Sequence, residues 1–163
     1  MSLYIAHSVA WLTPINIVGG KSVDKQPTAM QNYMHNIAAR MSKPLRIRIG
    51  GNGMDGYDAF SINFISSLPL SCSSTYIPDL KDVIEHVDED AYFNDIPVNF
   101  GPRFFDILNG MHDKVGAMQF TIGLSMRNGH DFSNVTKLGK AARDKLGNRL
   151  DSLFLGNVGP FHR

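Results

Sequence analysis

The sequence predicts an α/β domain built as a partial TIM barrel, with about four β/α units and parallel strands. Two kinds of segment alternate along the chain. Some are short and apolar or alternate apolar and polar residues, which is typical of strands, and the others have apolar residues three and four positions apart, as in helices. The order is strand, helix, strand, long loop, helix, strand, helix, strand, which favours parallel strands joined by right-handed crossovers. A complete barrel has eight strands in about 250 residues, so four strands correspond to half of one.

The first half of the chain supplies two strands and one helix. Residues 3–11 are apolar enough for a first strand, and residues 13–22 follow as a loop with proline and a Gly-Gly pair. Apolar residues at helical spacing predict a helix over Pro27–Met41, and a proline suits the first helical turn. Leu45–Ile49 then alternates apolar and basic side chains, which predicts a strand with one buried face.

A glycine-rich turn and an acidic residue follow this second strand. Gly50-Gly51-Asn52-Gly53 can adopt the positive φ angles of a sharp turn. Asp55 comes directly after it, just past the end of a buried strand. Ligands bind at this rim in barrels of parallel strands, so we expect a binding site here. The alternative for Asp55 is a turn residue that bonds to its own backbone amides.

The second half of the chain begins with an irregular insert, residues 57–73. Its apolar residues follow neither the period of 2 of a strand nor the period of 3.6 of a helix. We interpret residues 94–102 as a loop. The ordered pattern then comprises a helix over Arg103–Asp113, a strand over Met118–Leu124, a helix from the N-cap Ser133 to Leu146, and a last strand over Asp151–Gly156. Asp131, in the loop after the third strand, is interpreted as a capping residue for the turn that follows.

Composition argues against several classes of function. The net charge of +1 gives no electrostatic case for binding nucleic acid or an anionic membrane. No run of 18 apolar residues predicts a membrane span, and the first residues lack the basic region of a signal peptide.

The single cysteine, Cys72, predicts no internal disulfide and leaves the compartment open. The six histidines lack metal-ligand spacing, and the glycine turn lacks a nucleotide-binding pattern, so we expect no metal and no cofactor.

Two segments together resemble a known enzyme family. RIRIGGNGMDG ends the second predicted strand, and DSLFLGN ends the fourth. Both are similar to glycoside hydrolase family 79, which includes fungal β-glucuronidases and animal heparanases, and the resemblance runs from the first helix to Asn157. It implies a retaining-glycosidase barrel whose ligand is a glucuronide or a related sugar. It also implies that Asp55 and Asn157 hydrogen-bond sugar hydroxyls in the −1 subsite, with Gly51 and Asn52 in the turn that admits the ring.

Two departures from the family pattern accompany this resemblance. The fourth strand of family members ends in Gly-Asn-Glu-Pro, where Glu is the general acid/base, but Val158 stands at that position here. The family places its nucleophile on a later strand than those found in this sequence. Residues 57–73 also separate Gly56 from a Ser-Thr-Tyr-Ile-Pro segment that follows almost directly in the family. We interpret residues 57–73 and the tail 158–163 as translated introns.

The sequence therefore predicts one incomplete glycosidase-like domain over residues 1–163 that lacks hydrolytic activity. A non-catalytic carbohydrate-binding or interaction module that keeps the sugar-facing rim is the alternative, and a self-contained open α/β domain is a third interpretation. Exposed barrel edges would favour self-association or aggregation. Full-length relatives are mostly secreted, but the sequence leaves localisation open.

Overall fold

The computed structural model of the protein describes residues 4–9, 28–50, 75–86, 98–126 and 131–156. Within these ranges the chain forms two sheets and three α-helices. The strands are β1 (Tyr4–Val9), β2 (Leu45–Ile49), β3 (Thr75–Tyr76), β4 (Ile84–His86), β5 (Val98–Phe100), β6 (Met118–Leu124) and β7 (Leu150–Leu155). The helices are α1 (Thr28–Ala39), α2 (Arg103–Val115) and α3 (Ser133–Leu146), and a 3-10 turn (Gly147–Arg149) follows α3.

The main sheet has the strand order β1-β2-β6-β7, and every neighbouring pair is parallel. Helices alternate with these strands along the chain, as the sequence pattern predicts. Helix α1 lies between β1 and β2, α2 precedes β6, and α3 lies between β6 and β7. The predicted α/β fold with parallel strands is therefore confirmed. Closure into a TIM barrel remains a prediction, because the described strands form a four-stranded sheet and a separate three-stranded sheet.

Strand β2 has the two faces that its alternating sequence predicts. Leu45, Ile47 and Ile49 are buried, whereas Arg46 and Arg48 are partly exposed on the opposite face. The buried face continues into β6 through in-register neighbours, which are Met118, Phe120 and Ile122. Apolar side chains removed from water contribute about 25 cal/mol per Å² of buried surface, so this face anchors the sheet to the helices.

Helices α2 and α3 provide most of the apolar cover. Both place apolar residues on one face at helical spacing; those buried are Phe104, Phe105, Ile107, Leu108, Met111 and Val115 from α2 and Leu138, Ala142 and Leu146 from α3. Helix α1 adds Met34, and its His35 Nδ1 lies 2.9 Å from the carbonyl oxygen of Val115. The predicted helices are confirmed, with α2 ending two residues later than expected.

The second sheet is small and was not predicted. Its order is β3-β5-β4, with β3 parallel and β4 antiparallel to β5. The prediction of a loop over residues 94–102 is wrong at β5, because a three-residue strand is too short to display a period. Burial of four aromatic rings holds this sheet against α2: Tyr76, Phe100, Phe104 and Phe105 meet edge-on or tilted at centroid distances of 5.6–6.1 Å.

Polar contacts tie the helices together near the start of β7. Arg149 donates to Asn109 Oδ1 and to Asp113 Oδ1, each at 2.7 Å, and Asn109 Nδ2 donates to the carbonyl oxygen of Lys145. These contacts lie at the amino-terminal ends of the strands. In barrel-like folds that end of the sheet serves stability rather than ligand binding.

The start of α3 differs from the prediction in one detail. The helix begins at Ser133 and its N-cap position is Phe132, which makes no side-chain capping bond, so the prediction of Ser133 as N-cap is wrong. Asp131 takes the capping role instead, since its Oδ1 accepts the Ser133 N–H at 2.8 Å. The interpretation of Asp131 as a capping residue is confirmed.

Candidate functional site at the carboxyl ends of the strands

Three neighbouring strands of the main sheet end together at one edge. β2 runs into Gly50, which is buried and has a φ of 130°, and β7 runs into Gly156, which has a φ of 68°. Residues other than glycine rarely adopt such φ angles. The Gly156 N–H donates to the carbonyl oxygen of Leu124 at 2.8 Å, so the ends of β6 and β7 are joined.

The residues predicted to bind sugar lie outside the described residues. These are Gly51, Asn52, Asp55 and Asn157, and the position of the missing acid, Val158, is also outside. Their immediate chain neighbours, Gly50 and Gly156, lie within the described ranges, at the carboxyl ends of β2 and β7. Only β6 separates these two strands, and adjacent strands are about 4.8 Å apart, so both predicted segments begin at the same edge of the sheet.

The sheet face turned away from α2 and α3 is polar. It carries Arg46, Arg48, Gln119, Thr121 and Ser152, and we call these residues the polar face. They align by register, because Arg46 pairs with Gln119, Arg48 with Thr121, and Thr121 with Ser152. The hydroxyls of Thr121 and Ser152 are hydrogen-bonded at 3.0 Å. Parallel strands covered on both faces are usually apolar on both, so this polar composition is characteristic of a face that meets water or a ligand.

An ion pair crosses the polar face. Arg46 Nη2 on β2 lies 3.0 Å from Asp151 Oδ1 on β7, and the two side chains are 33% and 17% exposed. A shift in register accompanies this contact: Phe120 pairs with Leu150 and Thr121 with Ser152, which leaves Asp151 as an extra residue in β7. Because of this bulge the successive residues Asp151 and Ser152 both contact side chains of the polar face, which strict alternation would not allow.

Arg48 lies further toward the carboxyl ends of the strands. Its guanidinium carbon is 4.0 Å from the centre of the Phe154 ring, which is a cation–π contact. Guanidinium groups donate several hydrogen bonds in fixed directions and suit carboxylates and hydroxyls. The sequence predicted no role for Arg48 or Phe154, although the alternation of LRIRI indicates that both arginines share one face.

Ionisable groups of the described residues show no second site. Asp131 accepts the Ser133 backbone N–H and is bonded to the Ser133 side chain, with Lys137 nearby, and these interactions hold the pKa of Asp131 below its usual value. Asp131 is therefore ionised at neutral pH and is unsuited to donate a proton as a general acid. Burial, and secondarily the charge of Asp79, raises the pKa of Tyr76.

Clusters of metal ligands and membrane-spanning helices are both absent from the described ranges. No three histidine, cysteine, aspartate or glutamate side chains among the described residues are grouped so that they could hold a metal ion. None of the helices in the described part of the chain combines the length and the apolar character needed to cross a membrane.

The fold has a counterpart among solved structures. The chain is similar to a 4-O-α-L-rhamnosyl-β-D-glucuronidase from Fusarium oxysporum 12S, crystallised as its Rha-GlcA complex, with a TM-score of 0.55 and 21% sequence identity. The similarity covers 82% of this chain but 24% of that one, so this chain spans about a quarter of the length of its neighbour. No protein-family model and no curated protein matches the chain. The shared feature is the α/β fold of a glycoside hydrolase. At 21% identity, this similarity shows the fold alone.

Proposed function

We propose that this chain corresponds to the first four β/α units of a family 79-like retaining β-glycosidase, whose class of substrate is a glucuronic-acid-containing glycan. One observation carries the proposal: Gly50 and Gly156, which belong to the two motif segments, lie at the ends of strands separated only by β6. Segments more than 100 residues apart in the sequence thus reach the edge where ligands bind in this class of fold. The similarity to a glucuronidase fold supports the same assignment.

The proposed role of the site is to bind a sugar ring. Asp55 and Asn157 accept and donate hydrogen bonds to the hydroxyls, while Gly51 and Asn52 form the turn beside the ring. The polar face supports this role, because Arg48 and Phe154 present a cation and an aromatic ring on the same side of the sheet. An anionic sugar is attracted by two arginines that are balanced by one aspartate on this face.

We propose that the chain by itself does not hydrolyse glycosides. Retaining glycosidases need an acid/base and a nucleophile whose carboxyl groups are about 5–5.5 Å apart. Val158 occupies the position of the acid/base, and its isopropyl group can neither donate nor accept a proton. Loss of general acid catalysis alone lowers the rate by roughly 10²–10⁴-fold.

Two measurements on the purified chain test these proposals. We expect no turnover of a chromogenic β-glucuronide, and we expect glucuronic acid to shift NMR signals of residues near Gly50 and Gly156. Asp55→Ala should abolish the shifts, whereas Asp144→Asn, which removes an exposed carboxylate on α3, should retain them. Turnover that depends on Asp55 would contradict the proposed inactivity.

The same titration separates the proposal from the alternative of an open α/β domain without a sugar site. Binding without turnover agrees with both a glycosidase fragment and a non-catalytic carbohydrate-binding module. Titration with purified disaccharides that contain glucuronic acid would then define the ligand. Absence of any binding favours an α/β domain that shares only its ancestry with glycosidases. A neutral sugar that binds as tightly as glucuronic acid would contradict the assignment to uronic acids.

We also propose that residues 57–73 and 158–163 derive from translated introns, as their departure from the family pattern indicates. Both segments lie outside the described residues. Sequencing of the mature transcript provides the test. A mature message that still encodes residues 57–73 would show that this insert belongs to the protein.

A further inference from the structure

A side chain of α3 completes the open edge of β3. Asn134 Oδ1 accepts the backbone N–H of Tyr76 at 3.2 Å, and Asn134 Nδ2 donates to the carbonyl oxygen of the same residue at 2.8 Å. The other edge of β3 faces β5, where the Ile77 N–H donates to the carbonyl oxygen of Phe100. Asn134 therefore takes the place of one residue of a neighbouring strand, and we call this pair of bonds the Asn134 bridge.

Asn134 also begins a sequence motif that the proposed function does not use. Asn134-Val135-Thr136 matches Asn-x-Ser/Thr with x other than proline, the acceptor motif for N-glycosylation. Thr136 is exposed on α3, and Val135 is partly buried against the apolar core. The motif is therefore placed at the surface, but its acceptor amide is already engaged by the Asn134 bridge.

The transfer of a glycan replaces one specific hydrogen of this amide. The Nδ2–C1 bond forms to the first sugar, an N–H bond of Nδ2 breaks, and the lipid diphosphate leaves with the sugar–oxygen bond electrons and is protonated. The product is a secondary amide, which prefers the trans form by about 2.5 kcal/mol. In that form C1 lies on the same side of the Cγ–Nδ2 bond as Oδ1, and the remaining hydrogen lies on the opposite side.

The Asn134 bridge uses the hydrogen that the glycan would replace. The N–H and C=O of an extended residue such as Tyr76 point to the same side of the strand. To contact both, the Asn134 amide must present Oδ1 together with the hydrogen on the Oδ1 side. A glycan at Nδ2 occupies that position, so the bridge and the glycan exclude each other.

We propose that Asn134 is an N-glycosylation acceptor only while α3 and β3 are undocked, and that formation of the Asn134 bridge closes the site. The reactant is a lipid-diphosphate-linked oligosaccharide, and the catalyst is an oligosaccharyltransferase. A glycan attached before docking keeps the small sheet away from α3, and docking before attachment protects the asparagine. The occupancy of this site then reports the order of the two events.

The test compares four substrates of a purified oligosaccharyltransferase supplied with its lipid-linked donor. A peptide over residues 131–139 gives the rate without the fold, and the folded wild-type chain should be modified at least about tenfold more slowly, since both bonds must open first. Thr136→Val removes the motif but keeps the bridge, so it should not be modified at all. Gly101→Ala, which loosens the small sheet at another point, should be modified faster than wild type.

Amide hydrogen exchange supplies the second measurement. The Tyr76 amide should be protected in the wild-type chain and in Thr136→Val, and it should lose protection in Asn134→Ala and in any glycosylated chain. Modification of the folded chain at the rate of the peptide, with Tyr76 still protected, would overturn the proposal. An unprotected Tyr76 amide in the wild-type chain, or a peptide that is not modified, would overturn it as well.

Discussion

At the scale of single residues, the ion pair between Arg46 and Asp151 is the contact with the clearest energetic consequence. It joins β2 to β7 across β6, and both side chains are more than half buried. We expect Asp151→Asn to lower the free energy of unfolding by about 1–3 kcal/mol, because a guanidinium at the sheet surface loses a charged partner. Urea unfolding of Asp151→Asn, Arg46→Gln and the double variant measures the coupling. A coupling near zero would mean that solvent screens the pair.

A second residue-scale prediction concerns pH and Asp131. The carboxylate accepts the Ser133 N–H, and the pKa of Asp131 is lowered in the folded chain. A lowered folded-state pKa contributes stability that is present above the unfolded value, about 3.9 for aspartate, and is lost as the pH falls through the folded value. Asp131→Asn should therefore flatten the acid side of the stability curve. Unfolding measured at neutral and at acidic pH checks this, with Asp144→Asn, an exposed carboxylate on α3, as the control.

At the scale of elements, we predict that replacing two glycines by alanine changes the stability of the chain in opposite directions. A Cβ at Gly101 would lie 2.6 Å from the carbonyl oxygen of Leu80 and 2.8 Å from that of Asp82, both backbone atoms, so Gly101→Ala should destabilise the small sheet by roughly 1–3 kcal/mol. A Cβ at Gly139, inside α3, would make ordinary contacts with Leu153 and Leu124. Gly139→Ala should therefore stabilise the chain by about 0.5–1 kcal/mol. Equal shifts in melting temperature for the two variants would contradict this account.

The elements also show how far sequence reasoning reaches. The four parallel strands and three helices follow from periods long enough to detect, such as the alternation in β2 and the apolar stripe of α2. The small sheet could not be predicted, because β3 has two residues and β5 has three, and their partners are set by tertiary contacts. The bulge at Asp151 and the Asn134 bridge depend on register between distant segments, which no local pattern encodes. The predicted sugar-binding residues remain predictions, and only the strand ends that lead to them are described.

At the scale of the whole molecule, the distribution of exposed apolar side chains modifies the expected route to self-association. The face of the sheet that would line a barrel is mainly polar, and its Phe154 ring is in contact with the Arg48 guanidinium, so it offers little apolar surface. Leu153 and Leu155 of β7 are instead 41% and 62% exposed on the opposite face, although their partners in β6, Ile122 and Leu124, are buried. Exposed apolar side chains on a strand favour association between chains. We therefore expect self-association to involve the outer face of β7.

This location can be tested with two variants matched for exposure. We predict that the wild-type chain self-associates reversibly at micromolar concentration and that Leu155→Lys lowers the association constant by at least about tenfold, because a buried leucine contributes about 1.5–3 kcal/mol. Tyr33→Lys changes an equally exposed side chain on α1, 62% in each case, and should leave association unchanged. Sedimentation equilibrium measures all three chains. A monomeric wild-type chain would contradict self-association itself, and equal effects of the two substitutions would place the contact elsewhere.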